Sequence, residues 1–218
     1  MKSNFSRMVS LFLVFSFVIL LGSCKKTDNM PTEEGLTAGE IELLDFTTYY
    51  GEYVEDGSDE QVIDVAAITV VNNSKTAYQL IRFEVMANGE NYHFTVTALL
   101  PGMTVTALET DKKTITAGTE STFFRITESS EFAVEPSKHE DLFRCELYDG
   151  VMNVTNISDK AFDKDVFVYY KNKNTSGYLG GITYRVNCGS LEKGKLTQRP
   201  SAHLKQGTSE VLFITYGE

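Results

Sequence analysis

Apolar and polar residues alternate along much of this 218-residue chain. In Ile81–Val85 the apolar and the charged side chains fall on opposite faces of an extended segment, and the same period of two recurs in residues 94–98 and 103–107. Short turn sequences separate these runs, among them Gly180-Gly181 and Asn88-Gly89, of which the second is typical of a two-residue hairpin. The pattern predicts an all-β fold of antiparallel strands in a sandwich or barrel.

A nine-residue pattern occurs twice in the chain. Residues 70–78 and 154–162 share valine, asparagine, serine and alanine in register, and each copy ends on an aromatic residue, Tyr78 or Phe162. Asparagine and serine side chains can bond to the backbone two residues on, which favours a tight turn after a strand. The repeat, at an offset of 84 residues, indicates a duplicated β-unit.

A second pair of similar segments sets the expected size of the second copy. Residues 99–105 resemble residues 203–209 through a Leu-x-x-Gly pattern, Leu99–Gly102 in the first and Leu204–Gly207 in the second, whose members are offset by 105 residues. The difference between the two offsets predicts an insertion of 21 residues in the second copy, between Lys173 and Leu196.

The amino-terminal residues are typical of an export signal. Lys2 and Arg7 accompany an apolar run, Met8–Leu21, which is shorter than the roughly 20 residues that a membrane-spanning helix needs. Leu21-Gly22-Ser23-Cys24 resembles the bacterial lipobox, which implies that diacylglycerol is attached to Cys24 before the preceding residues are removed. An ordinary cleaved signal peptide, with Cys24 unmodified, is the alternative.

Lipidation predicts where the protein resides. Two acyl chains hold a protein on a bilayer lastingly, whereas one chain gives only marginal binding. We therefore expect an extracytoplasmic protein, lipid-anchored to the cell membrane or outer membrane. The predicted segments are a signal peptide (1–23), a lipidated flexible tether (24–40), a first β-sandwich domain (41–135) and a second (141–218).

The mature chain is acidic. Removal of residues 1–23 takes away two basic residues and no carboxylate, so that 18 basic and 30 acidic residues remain, a net charge of −12. Such a charge argues against nucleic acid as a partner and against attraction to anionic lipid headgroups. The acidic run 55–60 lacks the alternation of an EF-hand loop, and the histidines are isolated from the cysteines, so neither a metal nor another cofactor is predicted.

Two cysteines remain if Cys24 carries lipid. A disulfide between Cys145 and Cys188 would close a loop of 43 residues and stabilise the fold by about 4 kcal/mol. The alternative, which the sequence supports equally, is that both cysteines are buried free thiols. The sequence leaves the two states open.

The pattern Val-x-Asn-x-Ser, aromatic residue, strand and Leu-x-x-Gly resembles the small immunoglobulin-like domains of bacterial surface lipoproteins, the FxLYD type among them. The resemblance covers most of residues 143–218 and, more faintly, residues 45–130. Phe167-Val168-Tyr169-Tyr170-Lys171 takes the place of the Phe-x-Leu-Tyr-Asp strand, with tyrosine for leucine and lysine for aspartate. The resemblance implies two tandem immunoglobulin-like antiparallel β-sandwiches that act as scaffolds or binding modules without catalytic residues.

Tyrosine clusters form the candidate interface. Tyr49, Tyr50 and Tyr53 lie within five residues, and Tyr170 belongs to a second group. Exposed tyrosines suit contact with a glycan or a protein, whereas strand alternation would bury half of each cluster. The chain contains no Gly-x-Ser-x-Gly motif and no glycine-rich phosphate loop, so no catalytic residue is predicted.

Three functions are compatible with these features. The first is a non-enzymatic, membrane-anchored binding or assembly module for a protein or glycan ligand. The second is a subunit of a larger cell-envelope complex, pilus-like or transport-associated, that pairs through an exposed strand edge. The third is a hydrolase on a β-scaffold.

Overall fold

A computed structural model of the protein describes residues 36–217. The described residues form thirteen β-strands and no helix, which confirms the all-β prediction. Within that range there is accordingly no helix long and apolar enough to cross a membrane. The predictions for the signal peptide, for Cys24 and for tether residues 24–35 lie outside the described residues. The prediction is wrong for the last residues of the tether, because Thr37 and Ala38 pair with Glu42 and Ile41 as a short strand.

The strands follow the alternation of the sequence. In β5, for example, Tyr92, Phe94 and Val96 are buried, while the residues between them are more exposed. The strands are β1 (Thr37–Ala38), β2 (Ile41–Tyr53), β3 (Glu60–Asn72), β4 (Tyr78–Ala87), β5 (Glu90–Leu99), β6 (Thr104–Leu108), β7 (Phe123–Glu131), β8 (Phe143–Tyr148), β9 (Val151–Asn156), β10 (Phe162–Asn174), β11 (Gly177–Leu191), β12 (Leu196–Pro200) and β13 (Ser209–Tyr216).

The order of strand pairing repeats along the chain. Strands β2-β3-β6 and β5-β4-β7 form two antiparallel groups, and β8-β9-β12 and β11-β10-β13 form two more in the same order. A short parallel ladder between β6 and β11 then joins the first and last groups. One seven-stranded sheet, β1-β2-β3-β6-β11-β10-β13, therefore runs through both halves of the chain.

Two apolar clusters form most of the core. The first is enclosed by β2, β3 and β6 on one side and β4, β5 and β7 on the other; the second is formed chiefly by β8 to β11 and by β13. In β13, Phe213 belongs to the first cluster and Ile214 to the second. Successive side chains of a strand point to opposite faces, so β13 contributes to both cores.

Asn72 and Asn156 occupy equivalent buried corners of the fold. The Nδ2 group of Asn72 donates to the carbonyl oxygens of Thr76 (2.8 Å) and Leu99 (3.2 Å), and its Oδ1 accepts from the backbone N–H and the hydroxyl of Ser74. The corresponding partners of Asn156 are Ser158, Lys160 and Leu191. The shared network confirms the strand-and-turn repeat predicted from the nine-residue pattern.

The predicted equivalence of residues 99–105 with residues 203–209 is wrong. The carbonyl of Asn72 accepts from Gly102 N–H at 2.7 Å, and that of the equivalent asparagine accepts from Gly194 N–H at 3.0 Å. The offset in this loop is thus 92 residues, and the insertion is 8 residues rather than 21. Glycine serves many turns, so a Leu-x-x-Gly match does not identify one of them.

The additional residues lie in the β10–β11 hairpin. The segment Tyr78–Leu99 holds 22 residues, whereas its counterpart Phe162–Leu191 holds 30. Both strands of the second hairpin are longer, 13 and 15 residues against 10 and 10. The added length carries Gly177–Ile182 alongside strands of the first half, where β11 pairs with β6.

The hairpin predicted at Asn88-Gly89 is confirmed. These residues join β4 to β5 with φ values of 51° and 78°, and Ala87 pairs with Glu90 across the turn. Positive φ at both central residues is the requirement of a type I′ turn.

Candidate binding groove

A groove of about 830 Å³ lies where the two halves of the chain meet. Strands β4, β5 and β7 contribute one wall, and β10, β11 and β13 contribute the other. Residues 132–134, which follow β7, also line it. The volume lies within the range of about 300–1,000 Å³ that is typical of sites for small ligands.

An aromatic cluster forms the apolar part of the groove. Val168 and Tyr170 belong to the second core, so Tyr169 between them points to the opposite face of the sheet and lines the groove. Tyr169 stacks on Phe213, its register partner in β13, with ring centroids 4.3 Å apart and planes at 14°. Phe132 meets Phe213 edge to face at 5.2 Å.

Hydroxyl and amide groups line the groove beside the aromatic cluster. The side chains of Gln79, Ser130 and Thr215 are exposed and make no hydrogen bond to any residue of 36–217. Thr97 and Thr183 link the walls, because their Oγ1 atoms lie 3.0 Å apart and the Thr183 hydroxyl donates to the Thr97 carbonyl at 2.9 Å. The groove therefore offers hydrogen-bonding groups next to apolar surface.

Arg185 alone is charged among the lining residues, all of which belong to the described range. Its guanidinium carbon lies 5.0 Å from the centre of the Phe167 ring. No carboxylate of residues 36–217 lies within 4.0 Å of it. In a chain of net charge −10, an exposed arginine without an acidic neighbour makes this surface locally positive.

Glu55 and Lys171 hold the extended hairpin in place beside the groove. Lys171 is fully buried, and its Nζ donates to the three carbonyl oxygens of Gly180–Ile182 at 3.1, 2.7 and 2.6 Å. The Glu55 carboxylate accepts from two N–H groups of the same segment at 2.9 and 3.2 Å. It also accepts from Leu108 N–H, at the end of β6, at 2.7 Å.

Burial and charge act in opposite directions on this pair. Burial raises the pKa of the Glu55 carboxyl, while backbone N–H groups and the charge of Lys171 oppose the rise. Burial lowers the pKa of Lys171, and the charge of Glu55 opposes that shift. Three carbonyl oxygens also match the three N–H donors of an ammonium group, so the arrangement supports a charged Lys171.

The glycine pair that the sequence marks as a turn lies inside β11. A Cβ atom at Gly181 would lie 1.8 Å from the carbonyl oxygen of Thr95, and one at Gly180 would lie 2.7 Å from Val54 Cγ2. A tertiary contact, and not a chain reversal, therefore requires glycine here. The close approach brings β11 against β5 next to the Thr97–Thr183 contact.

The four tyrosines of the candidate interface do not share a surface. Tyr53 and Tyr170 are buried, with 2% and 0% of their surface exposed. Tyr49 is half-buried and donates its hydroxyl to the Glu52 carbonyl, whereas Tyr50 is 75% exposed. A patch made of all four is ruled out, because the strands turn Tyr53 and Tyr170 inward.

Cys145 on β8 and Cys188 on β11 are free thiols in the structure. Both belong to or pack against the second core. Burial raises the pKa of Cys145 to about 12 and that of Cys188 to about 11. A disulfide between them stays a prediction.

The sequence patterns assign no functional role to Arg185, Glu55 or Lys171, although Glu55 begins the acidic run and Lys171 ends the segment that resembles the FxLYD type. One signal for Lys171 was present, since it directly follows the apolar run Val166–Tyr170 inside a strand, where a lysine needs dedicated partners. Arg185 carries no such local signal, because its isolation from carboxylates depends on residues of other strands.

No group of three or more histidine, cysteine or acidic side chains in residues 36–217 has the placement to hold a metal ion. Comparisons of the chain with protein-family models, with curated proteins and with solved structures gave no match.

Proposed function

We propose that this protein is a membrane-anchored, extracytoplasmic binding module whose ligand occupies the groove. One observation carries the proposal: the groove, of about 830 Å³, combines an aromatic cluster, polar side chains without hydrogen-bond partners among residues 36–217, and Arg185. Ligand sites are mostly apolar, with a few polar groups that fix the orientation of the ligand. A protein segment or a glycan is the expected class of ligand.

The proposed fold is a tandem pair of immunoglobulin-like β-sandwiches. The repeated pairing order, the two asparagine networks and the two apolar clusters support this assignment. The sandwiches would correspond to residues 41–135 and 141–218, fused through the β6–β11 ladder. That fusion fixes the two walls of the groove relative to each other.

The proposed anchor is a lipid on Cys24, supported by the lipobox-like sequence Leu21–Cys24. Replacement of Cys24 by alanine should move the protein from the membrane pellet to the soluble fraction. A Cys24→Ala variant that stays in the membrane fraction would refute lipid attachment.

A matched pair of alanine substitutions tests the groove. Ala133 is exposed and lines the groove, so Ala133→Trp should fill it; Ala117 is exposed in a turn elsewhere, so Ala117→Trp is the control. We expect a component of envelope extracts to bind the wild type and the control but not Ala133→Trp. Equal capture by all three proteins, or no specific capture by any, would contradict the proposal.

A subunit of a larger envelope complex is the second candidate function. β12 lies at the edge of a three-stranded sheet, and its first residue, Leu196, is 54% exposed. An unpaired strand edge is a template for a strand from a partner. Concentration-dependent association that Leu196→Lys abolishes would favour this function over the first.

A further inference from the structure

We propose that the groove binds an extended peptide segment of a partner protein, and that a carboxylate of this segment pairs with Arg185. The inference rests on the proposed function, because it names the class of ligand for the same groove.

Charge complementarity identifies the anionic group of the ligand. Arg185 is exposed and its guanidinium lies over the Phe167 ring, but no carboxylate among residues 36–217 lies within 4.0 Å of it. A guanidinium presents two parallel N–H donors that match the two oxygens of a carboxylate. Because the chain as a whole is acidic, a carboxylate gains from this local contact and not from general attraction.

The polar lining favours a peptide over an acyl chain. Gln79, Ser130 and Thr215 present donors and acceptors that no residue of 36–217 uses. An acyl chain would cover these groups without bonding to them, and an unsatisfied polar group is costly to bury. A peptide backbone supplies both N–H and C=O groups along its whole length.

The apolar lining favours a peptide over a sugar. Leu80 and Val134 add aliphatic surface to the aromatic cluster, and Val134 is 80% exposed. Sugars stack on aromatic faces but carry hydroxyl groups around most of their edge, which aliphatic side chains cannot satisfy. An extended peptide alternates apolar side chains with a polar backbone and so matches both parts of the groove.

Selection from a random octapeptide library, displayed on phage, tests the proposal with the full chain purified in detergent. The wild type should enrich peptides that carry aspartate or glutamate beside apolar residues. The enriched peptide, made synthetically, should bind at least about tenfold more weakly when its acidic residue is replaced by the amide. Arg185→Glu should instead enrich peptides with lysine or arginine.

A second arginine provides the matched control. Arg144 lies on β8, away from the groove lining, and is 62% exposed, so Arg144→Glu should select the same acidic peptides as the wild type. Enriched peptides without an acidic residue, or the same peptides on Arg185→Glu as on the wild type, would overturn the proposal, as would no enrichment.

Binding of an acidic polysaccharide, measured in parallel, distinguishes failure of the peptide proposal from failure of the proposed function. If acidic polysaccharide binds the wild type but not Ala133→Trp, and peptides do not bind, the groove is a binding site and the peptide proposal fails alone. If Ala133→Trp changes neither peptide nor polysaccharide binding, both the peptide proposal and the proposed function fail.

Discussion

Glu55 and Lys171 bind the same backbone segment, Gly180–Ile182, although they come from different halves of the chain. Lys171 donates to its carbonyl oxygens, and Glu55 accepts from its N–H groups. Glu55 also bonds to Leu108, so it holds β6 and β11 together just beyond their parallel ladder. The pair thus ties the extended hairpin to the first half.

Replacement of Glu55 by glutamine should lower the free energy of unfolding by about 2 kcal/mol. The amide leaves Lys171 without its opposite charge and accepts N–H bonds less strongly than a carboxylate does. We place the loss below the usual cost of breaking a buried ion pair because the Lys171 ammonium and the Glu55 carboxylate are not within 4.0 Å of each other. Urea denaturation at pH 7 measures the difference in free energy of unfolding between the variant and the wild type.

An exposed glutamate serves as the control for this prediction. The side chain of Glu60 is 62% exposed where it pairs with Lys112, so Glu60→Gln should change the free energy of unfolding by less than about 0.5 kcal/mol. Equal effects of the two substitutions would show that the Glu55 contacts contribute no more to the free energy of unfolding than an exposed ion pair does. In a double-mutant cycle, Lys171→Met should cost less in the Glu55→Gln background than in the wild type.

Replacement of Gly181 by alanine should destabilise the protein by about 3 kcal/mol or prevent its folding. The new Cβ atom would lie 1.8 Å from the Thr95 carbonyl oxygen, so β11 must move away from β5. Gly118 has a φ of 80° and open space around it, so Gly118→Ala should cost only about 1 kcal/mol. Urea denaturation of both variants checks the difference, and similar losses would contradict the close approach.

The sequence predicts those parts of the fold that depend on neighbouring residues. Period-two alternation and the Asn88-Gly89 turn are local signals, and both match the structure. The Gly180-Gly181 pair is equally local but misleading, because its glycines are needed for an approach to Thr95 and Val54. The groove depends on residues of six strands, and neither turn chemistry nor periodicity shows how β6 aligns with β11.

Replacement of Asn72 or Asn156 by aspartate should destabilise the protein by about 2 kcal/mol in each case. Aspartate keeps the acceptor oxygens but loses the Nδ2 donors, and its charge then faces the carbonyl oxygens of Leu99 or Leu191. Because the two networks are equivalent, the two losses should be similar in urea denaturation. Asn91→Asp, at an exposed position, is the control, and a large difference between the two corners would argue against equivalence.

The carboxylate of Glu210 should make stability depend on pH. Partial burial raises its pKa, but hydrogen bonds from Lys173, Lys138 and Tyr178 outweigh burial and lower the pKa to about 2. The folded state therefore binds fewer protons than the unfolded state between pH 4.5, the ordinary value, and about pH 2. The stabilisation is complete above pH 4.5 and is lost as the pH falls towards 2.

Glu210→Gln removes this pH dependence. At pH 7 the variant should be less stable than the wild type by about 1 kcal/mol, since water screens a partly exposed group. Urea denaturation between pH 7 and pH 2.5 should show the difference shrinking as the pH falls. A difference that stays constant with pH would exclude Glu210 as its source.

The thiols of Cys145 and Cys188 should react slowly with iodoacetamide in the folded protein. Only the thiolate reacts, and pKa values of about 12 and 11 leave both groups protonated at pH 8. In urea at the same pH, exposure restores an ordinary pKa, and both cysteines should be labelled within minutes, as mass spectrometry of tryptic peptides would show. Labelling in urea that requires a reductant would instead identify a disulfide in the isolated protein, which the chain-entropy relation credits with about 4 kcal/mol.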